Sequence, residues 1–286
     1  MWISKLDEWR YMRHIFFMEK IMSLTQPQSS FVPVIASIPH SGTFVPEELK
    51  SLYKKGVMDC LPSTDWYVDE LYDFLPHLGV TVLKAEFSRY TADVNRPIGS
   101  SSQNDHSFHA HPILTRNSKG ESLYRGDVVL DDIGASQRIM DYYVPYQDRL
   151  RQLLKQTVQT YGVAYLLDLH SFTYNIDAHI CLGTDGAVSQ SSAPTMHGIF
   201  NDQCKNIPLK VVSNRVFHGG HITRNTRTMD NVEAMQIEIL KGCYLEQGHH
   251  MVSFPEKSQP NFDRLRNILF TMCERSIGQI RQRHFL

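Results

Sequence analysis

Three apolar runs of strand length, residues 32–38, 164–169 and 235–239, constrain this chain most, because each has an ionisable group within it or just beyond its end: His40, His170 and Glu238. Continuous apolar runs bounded by turn residues suit strands buried on both faces, as in α/β proteins. In an open α/β sheet, ligands collect beyond the carboxyl ends of the strands, so residues distant in sequence meet there. Two imidazoles and a carboxylate in those places point to a metal-dependent hydrolase.

The intervening sequence reads as helices and further strands in α/β order, within one domain spanning residues 31–286. A short acidic helix is expected after Pro46, whose ring suits a first helical turn. Ser63 or Thr64 is expected to cap a helix carrying Trp66, Leu71, Phe74, Leu75 and Leu78 and ending at Gly79. A strand follows over residues 80–87. A long helix is expected from Asp131 or Asp132 through Tyr161, with Ile139, Tyr143, Tyr146, Leu150, Leu153 and Val158 recurring every three or four residues and Pro145 as a kink. Strands at 178–182 and 209–212 and helices at 194–204 and 261–281 complete the pattern. Residues 97–130 are polar and aperiodic, and so long a loop is expected to flank the site. Residues 1–30 read as an N-terminal extension, helical or extended, to which no chemistry is assigned.

Charge and cysteine usage narrow the partners. The formal net charge of −1 gives no broad attraction for nucleic acid or acidic membranes, so a small-molecule partner is expected. The five cysteines are widely spaced and form no CxxC pair, which argues against a disulfide framework or a cysteine-rich zinc knuckle and for a reducing cytoplasm. The apolar pieces of the N-terminus are broken by Lys5, Asp7, Glu8, Arg10, Arg13 and Glu19, so neither a secretory core nor a membrane span is expected. Oligomeric state is not legible.

Five segments carry candidate chemistry. Pro39-His40-Ser41-Gly42-Thr43 follows the first strand; alone, it reads equally as a histidine closing a loop. In Asp168-Leu169-His170 the alternating pleat puts the acid and the imidazole on one side of the strand, where the carboxylate can orient the ring. In Gln236-Ile237-Glu238 the acid lies on an otherwise apolar strand, so it is either a general base or half of a structural ion pair. The segment 88–97 offers Arg89 and Arg96 with Asn95 between them, a set able to grip a carboxylate, although Asp93 could instead pair with an arginine. Gly219-Gly220-His221-Ile222-Thr223-Arg224 suits backbone closing over a substrate, or a plain turn.

In this order the segments resemble the N-formylglutamate amidohydrolase family across residues 31–244. The motifs are Pro-His-Ser-Gly-Thr at 39–43, Thr-Asp-Trp at 64–66, Ser-Arg-Tyr with Asp-Val-Asn-Arg-Pro at 88–97, Tyr-Arg-Gly at 124–126, Asp-Leu-His-Ser at 168–171, Gly-Gly-His-Ile-Thr-Arg at 219–224 and Gln-Ile-Glu-Ile at 236–239. The resemblance implies kinship with zinc carboxypeptidases and a mixed, mostly parallel sheet flanked by helices. It implies Zn2+, or another divalent ion, on His40 and His170, with Glu238 as base and Asn95 and Arg96 as a carboxylate clamp. The third carboxypeptidase-type ligand would fall at Thr43, a poor zinc ligand, so Asp65 is expected instead, with Asp69 or Glu47 as alternatives. His106, His109 and His111 form a tempting cluster that reads better as a solvated loop.

The expected reaction is hydrolysis of an N-formyl amino acid, with Arg89 helping to hold the oxyanion and Arg224 guiding a glutamate side chain. Another N-acyl amino acid, a short peptide, or silent binding of an acidic metabolite would fit the same residues.

Overall fold

Strands form where the chain is apolar on both faces, and the computed structural model sets them side by side. It describes residues 20–99, 111–126, 128, 131–173, 176–185, 195–246 and 254–285. Among these, seven strands form one sheet: β1 Met22–Thr25, β2 Val34–Ile38, β3 Thr81–Ala85, β4 Ala164–Phe172, β5 Ile180–Gly183, β6 Val211–Ser213 and β7 Val232–Leu240. The spatial order is β1-β3-β2-β4-β7-β5-β6. The inner strands β3, β2, β4 and β7 are parallel, and β1 and the β5–β6 pair run against them. This is the single α/β domain, with a mixed and mostly parallel sheet, that the resemblance implies.

The helices are α1 Glu47–Lys50, α2 Lys55–Cys60, α3 Val68–Leu71, α4 Asp132–Arg138, α5 Val144–Tyr161, α6 Met196–Cys204, α7 His221–Asn225 and α8 Gln259–Phe285. One core joins Val34, Ala36, Leu167, Leu169, Met235 and Ile237 to Ile199 and Phe200 of α6 and to Leu265, Leu269 and Ile277 of α8. The opposite core joins Ile35, Leu166 and Ala234 to Tyr146, Leu150 and Leu154 of α5. Burial on both faces explains why the central runs lack polar alternation. Between α4 and α5 a π-helical turn, Ile139–Tyr143, precedes Pro145. The wider turn accommodates a ring that would otherwise clash with the preceding carbonyls.

One expectation is sharpened and another changes. Residues 22–25 pair antiparallel with β3 and so add an edge strand ahead of residue 31. The helix expected from Ser63 or Thr64 is the short α3 followed by a 3-10 turn, Leu75–Leu78, and no side chain caps α3. Its first turn is diverted because the backbone there serves other partners. Asp65 N donates to His40 O, Ser63 O accepts from Arg89, and Thr64 O accepts from Lys241. The left-handed Gly79, with φ of 92°, closes the unit as expected.

Register places the site. Ser37, Asp168 and Gln236 stand abreast on β2, β4 and β7, and His170 stands beside Glu238 one step further on. These residues continue the face that carries Ile35, Leu166 and Ala234, so that face turns from apolar to ionisable at the carboxyl ends of the strands. Among the described residues no helix is long and apolar enough to cross a membrane.

Candidate metal centre and active site

His40 arrives from just beyond β2, His170 from β4, and Asp65 from the bend before α3. All three are buried, and their donor atoms lie within 4.8 Å of one another, so that they could hold a metal ion. Asp65 Oδ2 is 3.1 Å from His170 Nδ1 and 3.6 Å from His40 Nδ1. His40 Nε2 is 2.8 Å from Asp93 Oδ1, while His170 Nε2 is 3.1 Å from both Asp168 Oδ2 and the Asn95 amide nitrogen. A carboxylate beside each imidazole helps to orient the ring for a cation. Asp65 Oδ1 accepts from Ser171 Oγ at 3.1 Å and lies 3.7 Å from Lys241 Nζ, so Oδ2 is the oxygen that faces the two rings. Two nitrogens and one carboxylate oxygen are chemically suited to a divalent metal.

The alternative third ligands lie elsewhere. Asp69 pairs with Lys84 at 2.8 Å, and the exposed Glu47 pairs with Lys50 at 2.9 Å. His111 Nδ1 accepts the Ile113 amide at 3.1 Å, and His106 and His109 lie outside the described residues.

Electrostatics follow from burial and pairing. Burial alone would keep the Asp93 carboxyl protonated, but the Arg89 guanidinium, with His40 and Arg96, holds it well below the usual carboxylate range. Asp65 is likewise held low against its burial by His170, His40 and Lys241. Burial disfavours a charge on His170, yet Asp168 and Asp65 raise its affinity for a proton. Glu238 behaves oppositely. Burial, reinforced by Asp65 and Asp168, pushes its carboxyl up to about 7, with His170 and Gln236 opposing. Its Oε1 accepts from Gln236 Nε2 at 2.5 Å, while Oε2 is buried with no hydrogen-bond partner.

The segment 88–97 divides its tasks differently from expectation. Arg89, expected at an oxyanion, directs Nε and Nη2 to Asp93 Oδ2 at 3.1 and 2.5 Å and Nη1 to Ser63 O at 3.2 Å. Asn95, expected in the clamp, has its Oδ1 on the Ile222 amide at 2.8 Å and its Nδ2 3.1 Å from His170 Nε2. Arg96 donates to Asn95 O at 2.9 Å, and its Nε lies 3.8 Å from Asp93 Oδ2. Arg96 also feels the like charges of Arg89 and Arg224 and the opposite charge of Glu238. Arg224 is exposed on α7. Sequence reasoning gave no role to Lys241, Ser171, Gln236 or the pair of Tyr143 and His221, joined at 2.9 Å. The signal for Lys241 and Ser171 was their place at strand ends beside residues already singled out.

Residues 32–245 match the model of the N-formylglutamate amidohydrolase family. The chain belongs to that family. It is 27% identical over 272 residues to the N-formylglutamate deformylase of Pseudomonas putida, covering 88% of this chain and 95% of the relative. A protein of the same name from Pseudomonas aeruginosa is 27% identical over 245 residues, 80% and 87% of the two chains. Among solved structures, an N-formylglutamate amidohydrolase from Ralstonia eutropha JMP134 superposes with a TM-score of 0.78 at 21% identity, covering 92% of this chain and 99% of the other. A gene product of Agrobacterium tumefaciens superposes with a TM-score of 0.68 at 16% identity, over 92% and 97% of the two chains. Both structural likenesses show the fold.

Proposed function

We propose that this protein is a metal-dependent amidohydrolase that cleaves the formyl amide of N-formyl-L-glutamate to formate and glutamate. The observation that carries the reading is the convergence of His40, Asp65 and His170 in the site that also holds Glu238, a buried acid with one unpartnered oxygen. The deformylase relatives support the substrate. Zn2+ is the ion that a set of two histidines and one carboxylate suits best, with manganese, iron or cobalt compatible. Once bound, such an ion supplies a water of lowered pKa and polarises the acyl oxygen.

The chain's own groups do the rest. Glu238 Oε2 takes a proton from the attacking water and returns it to the departing amine as the carbon–nitrogen bond breaks. Arg96 grips the α-carboxylate, and Arg224 meets the side-chain carboxylate. Binding a dianion relieves the repulsion between these two arginines. Asn95 serves the clamp by anchoring α7 beside Arg96. Arg89 acts on the reaction through Asp93, which orients His40. The five cysteines, all free, suit a reducing cytoplasm.

The test is formate release from N-formylglutamate, with N-acetylglutamate, N-formylmethionine and a dipeptide as comparisons, before and after chelation and metal add-back. N-formylglutamate should be the preferred substrate and chelation should abolish its hydrolysis. Undiminished hydrolysis after complete metal removal would overturn the metal role, and preference for an acetyl or peptide substrate would overturn the substrate assignment.

A further inference from the structure

The start of α7 is held down by two carboxamides, one at Gly220 and one at Ile222, and each uses its other end on a site residue. Asn95 joins the Ile222 amide to His170. Gln236 Oε1 accepts the Gly220 amide, and its Nε2 donates to Glu238 Oε1 at 2.5 Å. The fit leaves no slack, since a Cβ at Gly220 would lie 2.3 Å from Asn95 Nδ2. Gln236 and Glu238 are 4% and 7% exposed, so water offers their polar atoms little competition.

Side-chain chemistry explains why a glutamine stands there. The position needs an acceptor for a backbone N–H and a donor to a carboxylate. An ionised glutamate cannot donate, a lysine cannot accept, and a methionine does neither to useful effect. The bond to Oε1 leaves Oε2 as the oxygen without a partner.

We propose that Gln236 is a positioning residue that aligns Glu238 Oε2 for proton transfer and also fixes the turn leading to Arg224. The inference rests on the assignment of Glu238 as the base and of Arg224 as a substrate contact.

Two variants separate the two ends of the amide. Gln236→Glu keeps an oxygen for Gly220 but sets a second acid against Glu238. Gln236→Met keeps the length and loses both bonds. Each is purified with its metal, checked for native circular dichroism, and measured for kcat and KM on N-formylglutamate and for deuterium exchange over residues 216–228. For Gln236→Glu, kcat should fall by roughly tenfold or more while KM and exchange stay within about threefold of native. For Gln236→Met, kcat should fall, KM should rise by roughly fivefold or more, and exchange should speed up by about tenfold. Native kcat in either variant overturns the alignment of the base, and native exchange in Gln236→Met overturns the anchoring of the turn. Failure of the unaltered protein to release formate would instead remove the functional reading, leaving the exchange contrast to decide the anchoring.

Discussion

Replacing Asp93 with asparagine removes one fully buried charge and strands the groups that surround it. Asp93 accepts two bonds from Arg89, faces His40 Nε2 at 2.8 Å and accepts the Asn95 amide at 2.9 Å. An asparagine has one acceptor oxygen and cancels no charge, so it cannot serve Arg89 and His40 together. Leaving a buried guanidinium without its carboxylate costs about 3–5 kcal/mol, a large share of the ~5–15 kcal/mol by which a domain is stable. At the metal, losing the group behind a ligating imidazole weakens binding by roughly 10–100-fold. Urea unfolding of the metal-free proteins at pH 7 measures the first effect, and zinc competition against a chromogenic chelator measures the second. An unfolding free energy within about 1 kcal/mol of native, together with unchanged zinc affinity, would refute the reasoning.

Glu238→Gln should lower kcat by roughly 10²–10⁴-fold while metal content, read by elemental analysis, stays native. The same variant should alter stability in the metal-free protein. Burial raises the Glu238 carboxyl to about 7. Its stabilising contribution is therefore complete below the unfolded value of about 4.3 and is lost as pH rises through the folded value, up to roughly 4 kcal/mol. Glu238→Gln should flatten that decline in unfolding experiments between pH 4 and pH 8, taken as approximate limits. Arg96→Ala should raise KM on N-formylglutamate by about tenfold or more, and an unchanged KM would contradict the clamp. Arg224→Ala should cut the preference for N-formylglutamate over N-formylmethionine by roughly tenfold, measured as the ratio of kcat/KM values.

Strands β2, β4 and β7 were legible because their two-sided burial leaves continuous apolar runs, and His170 and Glu238 were legible because the pleat dictates which residues share a face. Strand β1 was not, since its four residues run straight into the polar stretch 25–30 and gain their meaning from the edge of β3. The bend before α3 escaped for a related reason: its carbonyls bind Arg89 and Lys241, contacts 26 and 177 residues away in sequence. Asp65 emerged by resemblance and by the unsuitability of Thr43. The pairing of Asp93 with both Arg89 and His40 needed coordinates, because only folding brings the third partner to a local i,i+4 pair. The two amides at 95 and 236 read as substrate or strand residues until the turn at 219–222 is seen lying across them.

The most direct test of the account is anomalous scattering from crystals of the zinc-loaded protein, recorded on both sides of the zinc edge. One strong peak is expected, bounded by the side chains of His40, Asp65 and His170. A peak at another place, or none there in protein that contains zinc and releases formate, would contradict the metal centre on which the mechanism depends.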